Sequence, residues 1–290
     1  MRGMLICIKA DLFTVINDGN KYYCKASKLL QKNKQQLKVG DLVEFNVLQE
    51  TEAYITKIEK RRNELIRPSV ANIDLVVLAI SVKEPIFNDN LLDRMLALYE
   101  FYDLKVSIIF TKWDLLTKDE IPHMEHIMAY YQGIGYEVHH TTIMNPDLTF
   151  LKEVIKDRIV VIAGQSGVGK SSLINLIDPT LNLSTQEISY ALGRGKHTTR
   201  HTELIDICGG WVADTPGFGT MELTELSEAD LAGSFKEIFE ASGKCKYNGC
   251  LHNAEPGCEV KHLVDNGTIL LSRYTNYLQF LNEIKMNRKW

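Results

Sequence analysis

Gly164-Gln165-Ser166-Gly167-Val168-Gly169-Lys170-Ser171 decides the fold of this 290-residue chain. It reads G-x-x-x-x-G-K-S, follows the apolar run Ile159-Val160-Val161-Ile162-Ala163, and opens the helical pattern Ser172-Leu173-Ile174-Asn175-Leu176-Ile177. Strand, glycine loop and helix in that order are the setting in which a loop wraps the phosphates of a nucleotide. Glycines let successive N–H groups curl around phosphate oxygens without a clashing Cβ, and the helix start adds its positive dipole end. Residues Gly164 to Ser172 are therefore expected to bind nucleotide. Within them Lys170 is expected to reach the β- and γ-phosphates, and the Ser171 hydroxyl to ligate Mg²⁺.

A second motif lies N-terminal to this loop. Thr111-Lys112-Trp113-Asp114 follows the apolar run Val106-Ser107-Ile108-Ile109-Phe110. It places a carboxylate at the carboxyl end of a strand, where open α/β sheets bind ligands. Asp114 can accept from both N1–H and the 2-amino group of guanine, a donor pair that adenine lacks. The Lys112 stem can cover the base, and Thr111 stands where Asn is more usual. The base-flanking loop is expected near His139-His140-Thr141-Thr142.

C-terminal to the phosphate loop, Asp214-Thr215-Pro216-Gly217 matches D-x-x-G, with Asp214 toward Mg²⁺ and the Gly217 N–H toward the γ-phosphate. Between the two lies the polar segment Gly193-Arg194-Gly195-Lys196-His197-Thr198-Thr199-Arg200-His201. Such a segment orders around a γ-phosphate and Mg²⁺. Thr198 or Thr199 is the expected Mg²⁺ ligand, with Thr199 taken as the ligand and as part of the catalytic set. GTPases usually carry the base motif last; here the order is base motif, phosphate loop, first switch, D-x-x-G. A phosphate-loop kinase is disfavoured, because Asp114 would have no task and nothing resembles a lid.

In these motifs and their order the chain resembles the circularly permuted, ribosome small-subunit-dependent GTPases of the RsgA (YjeQ, YloQ) family. The resemblance runs the full length. It implies an OB-fold in front, a zinc-binding domain behind, and GTP hydrolysis coupled to small-subunit assembly, with the small ribosomal subunit and its rRNA as partners. After D-x-x-G, where Ras-like enzymes place a water-orienting Gln, this chain has Phe218, which cannot orient water. The resemblance points instead to the first-switch histidine, His197, beside Lys170 and Thr199. The competing reading is a nucleotide-gated rRNA-binding module with negligible turnover.

The two ends agree with that expectation. Net charge is −4, but residues 1–65 hold 12 Lys and Arg against 8 Asp and Glu, residues 66–225 hold 13 against 21, and residues 226–290 hold 8 against 8. A basic front on an acidic whole suggests a local polyanion contact. Short alternating runs at 5–8, 13–16, 22–24, 42–47 and 53–58, separated by turn signals, suit a five-stranded OB-type barrel. Lys21, Lys25, Lys28, Lys32, Lys34 and Lys38 fall between Gly19 and Gly40 with no acid among them. At the other end Cys245, Cys250, His252 and Cys258 form C-x4-C-x-H-x5-C, a closed tetrahedral Zn²⁺ set of structural type. Cys7, Cys24 and Cys208 read as buried small hydrophobes.

The expected class is therefore multidomain. Residues 1–66 form an OB-fold RNA-binding barrel. Residues 67–222 form a circularly permuted α/β phosphate-loop GTPase domain, and residues 223–290 a mostly helical zinc-binding domain. GTP or GDP, Mg²⁺ and one structural Zn²⁺ are the expected cofactors. No apolar run approaches the ~20 residues of a membrane span, and nothing reads as an export signal. A cytoplasmic monomer that binds neither membrane nor DNA is expected.

Overall fold

The computed structural model describes residues 1–32, 35–49, 51–66, 68–142, 146–181, 201–214 and 222–287. They fall in two compact units, Met1–Ala79 with Thr141–Phe218, and Ile80–His140 with Gly219–Trp290.

The first unit begins with a barrel. Its elements are β1 (Arg2–Lys9), β2 (Leu12–Asn17), β3 (Asn20–Ala26), a short helix α1 (Lys28–Lys32), β4 (Leu42–Gln49) and β5 (Glu52–Ile58). Strand order is β1-β2-β3-β5-β4, and β4 returns to pair with Arg2 to Met4 of β1, which closes the barrel and leaves the far half of β1 to another strand. Alternation sends Leu5, Val15, Cys24, Val43, Phe45 and Ile55 into one core. The β2–β3 hairpin turns on Asp18 and Gly19, both at positive φ, the geometry of a two-residue primed turn. Among the six lysines read as one basic stretch, Lys38 is not on the surface. Its Nζ donates to the Leu65 carbonyl at 2.9 Å and meets Glu64 at 2.7 Å, which anchors the small hairpin of β6 (Glu64–Leu65) and β7 (Val70–Ala71). Lys34 lies outside the described residues.

The α/β elements follow in chain order. They are β8 (Leu75–Ser81), α2 (Asp89–Phe101), β9 (Val106–Thr111), α3 (Ile121–Gly133), β10 (Glu137–His140), α4 (Thr149–Ile155), β11 (Ile159–Ala163), α5 (Lys170–Ile177), β12 (His201–Ile207) and β13 (Gly210–Asp214). In the first unit β11 runs parallel to both β8 and β13, and β12 is antiparallel to β13. The strands β8 and β11 are buried at every position, as parallel strands covered on both faces must be. One pairing was not legible beforehand: β1 is antiparallel to β12, Cys7 opposite Glu203, so the barrel and the GTPase strands share a continuous hydrogen-bonded sheet. Cys208, expected inside, is exposed, because with Gly209 it makes the positive-φ turn between β12 and β13.

The second unit holds α2, β9, α3 and β10, with β9 parallel to β10, and the C-terminal helices α6 (Glu228–Gly233), α7 (Lys236–Ser242), α8 (Glu259–Asp265) and α9 (Leu271–Asn287). Residues 228–242 form two helices rather than one. Ser234 bonds back to the Asp230 carbonyl at 2.7 Å, and Phe235 turns extended to bury its whole ring. Ser227 and Asp230 form a capping box at the start of α6. The apolar cluster of this unit joins Leu231, Phe235, Ile238, Tyr277 and Phe280 to Ala97 and Leu98 of α2. Barrel, α/β phosphate-loop domain and helical C-terminal part are the three-part class expected.

Candidate nucleotide and zinc sites

In the first unit, β11 delivers the chain at Ala163 into the glycine loop, and α5 begins at Lys170. Gly164 sits at φ 144, and a Cβ there would lie 2.2 Å from the Ala79 carbonyl oxygen, so only glycine fits. Gly167 and Gly169 also adopt positive φ. Val168 is buried and pins the loop, while Gln165, Ser166 and Gly167 are exposed. Lys170 is 7% exposed; its Nζ donates to the carbonyls of Gly164 at 2.8 Å and Gln165 at 3.0 Å. A cation is thus held by two carbonyls of the glycine loop at the N-terminus of α5, and the arrangement suits an oligophosphate. Ser171 and Ser172, half-buried, occupy the first turn of α5. Asp214 is the last residue of β13, in register with Ile162 of β11, so Asp214 lies beside the strand that feeds the loop. Gly217, Phe218, His197, Thr198 and Thr199 lie outside the described residues.

In the second unit, Thr111 ends β9 buried, its Oγ1 donating to the Ile80 carbonyl at 3.4 Å. Lys112 is left-handed at φ 60, and its Nζ donates to the Glu84 carbonyl. Trp113-Asp114-Leu115 then makes one 3-10 turn, which leaves the Asp114 side chain exposed. Two features were not read from the sequence. One is the Glu84 carbonyl that fixes Lys112, which no side-chain pattern signals. The other is the packing of Trp113 on His140, with ring centroids 4.5 Å apart and planes at 30°. His140 lies in the stretch expected to flank the base, and the β9–β10 register, with His140 opposite Phe110, explains the meeting.

Cys245, Cys250, His252 and Cys258 bring their ligand atoms within 4.8 Å of one another. Cys245 and Cys258 sulfurs are 3.9 Å apart, and His252 Nδ1 lies 3.5 and 3.4 Å from them. A tetrahedral Zn²⁺ with Zn–S near 2.3 Å and Zn–N near 2.0 Å sets such separations at about 3.8 and 3.5 Å. The donor set therefore fits zinc. Burial pushes the Cys250 thiol up to about 12, raises Cys258 as well, and lowers His252. A divalent cation reverses that balance for the thiols by displacing their protons. The Tyr274 and Tyr277 hydroxyls donate to the carbonyls of His252 and Leu251 at 2.6 and 2.9 Å, which fixes the ligand loop on α9. One zinc per chain is expected by elemental analysis. Cys250→Ser should release it and loosen the loop and α8, and a metal-free preparation with undiminished thermal stability would count against the site.

A profile described as RsgA GTPase matches residues 58–224. The chain belongs to the RsgA GTPase family. The Small ribosomal subunit biogenesis GTPase RsgA 2 of Oceanobacillus iheyensis is 44% identical over 287 residues, covering 99% of this chain and 98% of that protein. The RsgA of Bacillus pumilus is 46% identical over 291 residues, covering 98% and 97%. Among solved structures, YloQ, a circularly permuted GTPase, superposes with TM-score 0.84 at 38% identity over 98% of this chain and 94% of that one. YjeQ from Thermotoga maritima gives 0.86 at 32% identity, with 98% of both chains covered. As an RsgA GTPase the chain is a GTP hydrolase, and membership implies guanine nucleotide with Mg²⁺. No helix among the described residues is long and apolar enough to cross a membrane.

Proposed function

We propose that this chain is a cytoplasmic, monomeric GTPase that binds the small ribosomal subunit and couples GTP hydrolysis to its late maturation. Its nucleotide motifs stand in permuted order on a chain that matches small-subunit biogenesis GTPases from end to end, and that observation supports the reading most directly. The barrel (1–66) and the zinc domain (223–290) supply rRNA contacts, and DNA and membrane are not partners. Residues 67–222 bind and hydrolyse GTP.

The roles follow from chemistry. Thr111, Lys112, Trp113 and Asp114 read guanine, Asp114 accepting from the base. Gly164 to Ser172 cradle the phosphates, with Lys170 as the fixed positive charge. Mg²⁺, when bound, would supply positive charge to the phosphates. Ser171, Thr199 and Asp214 would hold it, Thr198 being the alternative to Thr199. The Gly217 N–H senses the γ-phosphate. Phe218 has no group to orient water, and His197 takes that task.

Measuring GTP turnover with and without small subunits tests the reading. Stimulation by the subunits is expected. Equal turnover in both conditions, with nucleotide-dependent subunit binding, would leave a passive RNA-binding module. Base reading is tested separately with Asp114→Asn. The xanthine 2-oxo group needs a donor where guanine's amino group needs an acceptor. The variant should lose ~10²-fold in GTP affinity and gain for xanthosine triphosphate. Unchanged selectivity in competition binding would remove Asp114 from the base.

A further inference from the structure

The outer face of the barrel carries an arrangement that neither barrel stability nor GTP chemistry uses. Along β3 and β5 every second residue points inward: Cys24 and Ile55 are fully buried and Ala53 nearly so. Between them Tyr23 and Tyr54 stand outward, 48% and 39% exposed, with Lys21 and Lys25 exposed beside them on β3. The strands are parallel, with Tyr23 opposite Glu52 and Lys25 opposite Tyr54, so the lysine lies next to one ring and two residues along its own strand from the other. Lys21 and Lys25 make no ion pair among the described residues. Among the described residues, acids near the face include Glu52, beside Tyr23, and Glu44, which is already paired with Lys57 at 2.9 Å.

We propose that this face binds unpaired RNA, with one base stacked on Tyr23, another on Tyr54, and Lys25 against the phosphate that joins them. The proposal rests on the reading that the barrel meets rRNA, and it specifies how. A strand spacing of ~4.8 Å and two residues of ~3.3 Å rise separate the two tyrosine positions by about 8 Å. Stacked bases follow one another at roughly 3.4 Å. Two bases resting on these rings are therefore unstacked from each other, which a duplex does not permit and a single strand does. Aromatic rings on an open sheet face stack bases of any sequence, and OB-type barrels bind oligonucleotides on the face of their second and third strands, β2 and β3 here, which β5 extends beside β3. Exposed tyrosines flanked by lysines with no ion pair among the described residues suit a polyanion with flat faces better than an apolar protein partner.

The test is fluorescence anisotropy of the full chain with a labelled, unstructured eight-nucleotide RNA and with a blunt duplex of the same sequence. The single strand should bind more tightly than the duplex. Tyr23→Ala and Tyr54→Ala should each weaken single-strand binding by about 10-fold, the loss of one stacked base, with the salt dependence unchanged. Tyr23→Phe and Tyr54→Phe should restore affinity, since the ring and not the hydroxyl does the stacking. Lys25→Ala should lower the salt slope by about 0.7, one phosphate contact fewer. The three side chains being replaced, Tyr23, Tyr54 and Lys25, are all exposed, so thermal melting should stay at the parent value. Alanine variants that bind the single strand as the parent does, or a parent that prefers the duplex, would overturn the assignment. Sedimentation of the parent with small subunits scores the function separately. A parent that ignores subunits yet binds the oligonucleotide through both tyrosines fails the function and keeps the face; subunit binding with tyrosine-independent RNA affinity does the reverse.

Discussion

Arg273→Ala will be the most damaging single substitution in the second unit, lowering the stability of that unit by about 3–5 kcal/mol. Arg273 lies on α9 with 1% of its surface exposed. Its Nη1 donates to Asp93 of α2 at 2.6 Å and its Nε to Glu237 of α7 at 2.7 Å. Asp93 also accepts from the Tyr131 hydroxyl of α3 at 2.6 Å and from Asn276 at 2.7 Å. The guanidinium carbon sits 4.3 Å from the centroid of Phe235. Burial works against the charge on Arg273, but the two carboxylates outweigh it and hold the guanidinium protonated. Burial likewise pushes the Asp93 carboxyl up, and Arg273, Asn276 and Tyr131 oppose that push.

With the guanidinium gone, two carboxylates remain inside with no counter-charge, and at Asp93 only the hydrogen bonds from Tyr131 and Asn276 still oppose desolvation. Hydrogen exchange reads the outcome by segment. Amides of α2, α3 and α9 should lose protection by roughly 10²–10³-fold, while β8, β11 and β13 of the first unit keep theirs. Adding Asp93→Asn and Glu237→Gln to Arg273→Ala should recover part of the loss, since neutral amides bury at lower cost. Parent-like exchange in Arg273→Ala would mean that the apolar cluster alone holds these helices.

That network marks the limit of what the sequence discloses. Local signals were legible. The glycine loop, the alternation of the barrel strands and the spacing of Cys245, Cys250, His252 and Cys258 each depend on residues close in the chain, and each sits in the element expected. Contacts between distant residues were not. Arg273 and Asp93 are 180 residues apart, and a lone Arg in an amphipathic pattern reads as an exposed charge until its partners are seen. Lys38 looked like one more member of a basic run, yet it is buried under β6. The β1–β12 pairing joins two edges that no local periodicity marks. Cys208 failed for the opposite reason. An apolar-looking neighbour set suggested burial, but Cys208-Gly209 is a hairpin turn, and turn residues face water.

Lys170→Ala is expected to reduce small-subunit-stimulated GTP hydrolysis by about 10³-fold, with nucleotide affinity falling as well. Its ammonium group is the only side-chain cation in the described part of the loop, and it is nearly buried. Phosphoryl transfer needs little covalent help from the protein, so most of the rate depends on positive charge and N–H groups aimed at oxygens that gain charge. A water molecule in place of Nζ supplies neither the charge nor the fixed position. The loop should survive the change, because Gly164, Gly167 and Gly169 set its backbone course and Val168 packs it down. His197→Ala is the contrasting variant. It should bind GTP as the parent does and lose only the subunit-stimulated rate, because its proposed task begins after the nucleotide is seated. Equilibrium binding of a slowly hydrolysed GTP analogue and single-turnover hydrolysis on small subunits separate the two. If Lys170→Ala turns over at the parent rate on subunits, the glycine loop does not hold the reacting phosphates; if His197→Ala does, water placement belongs to another group.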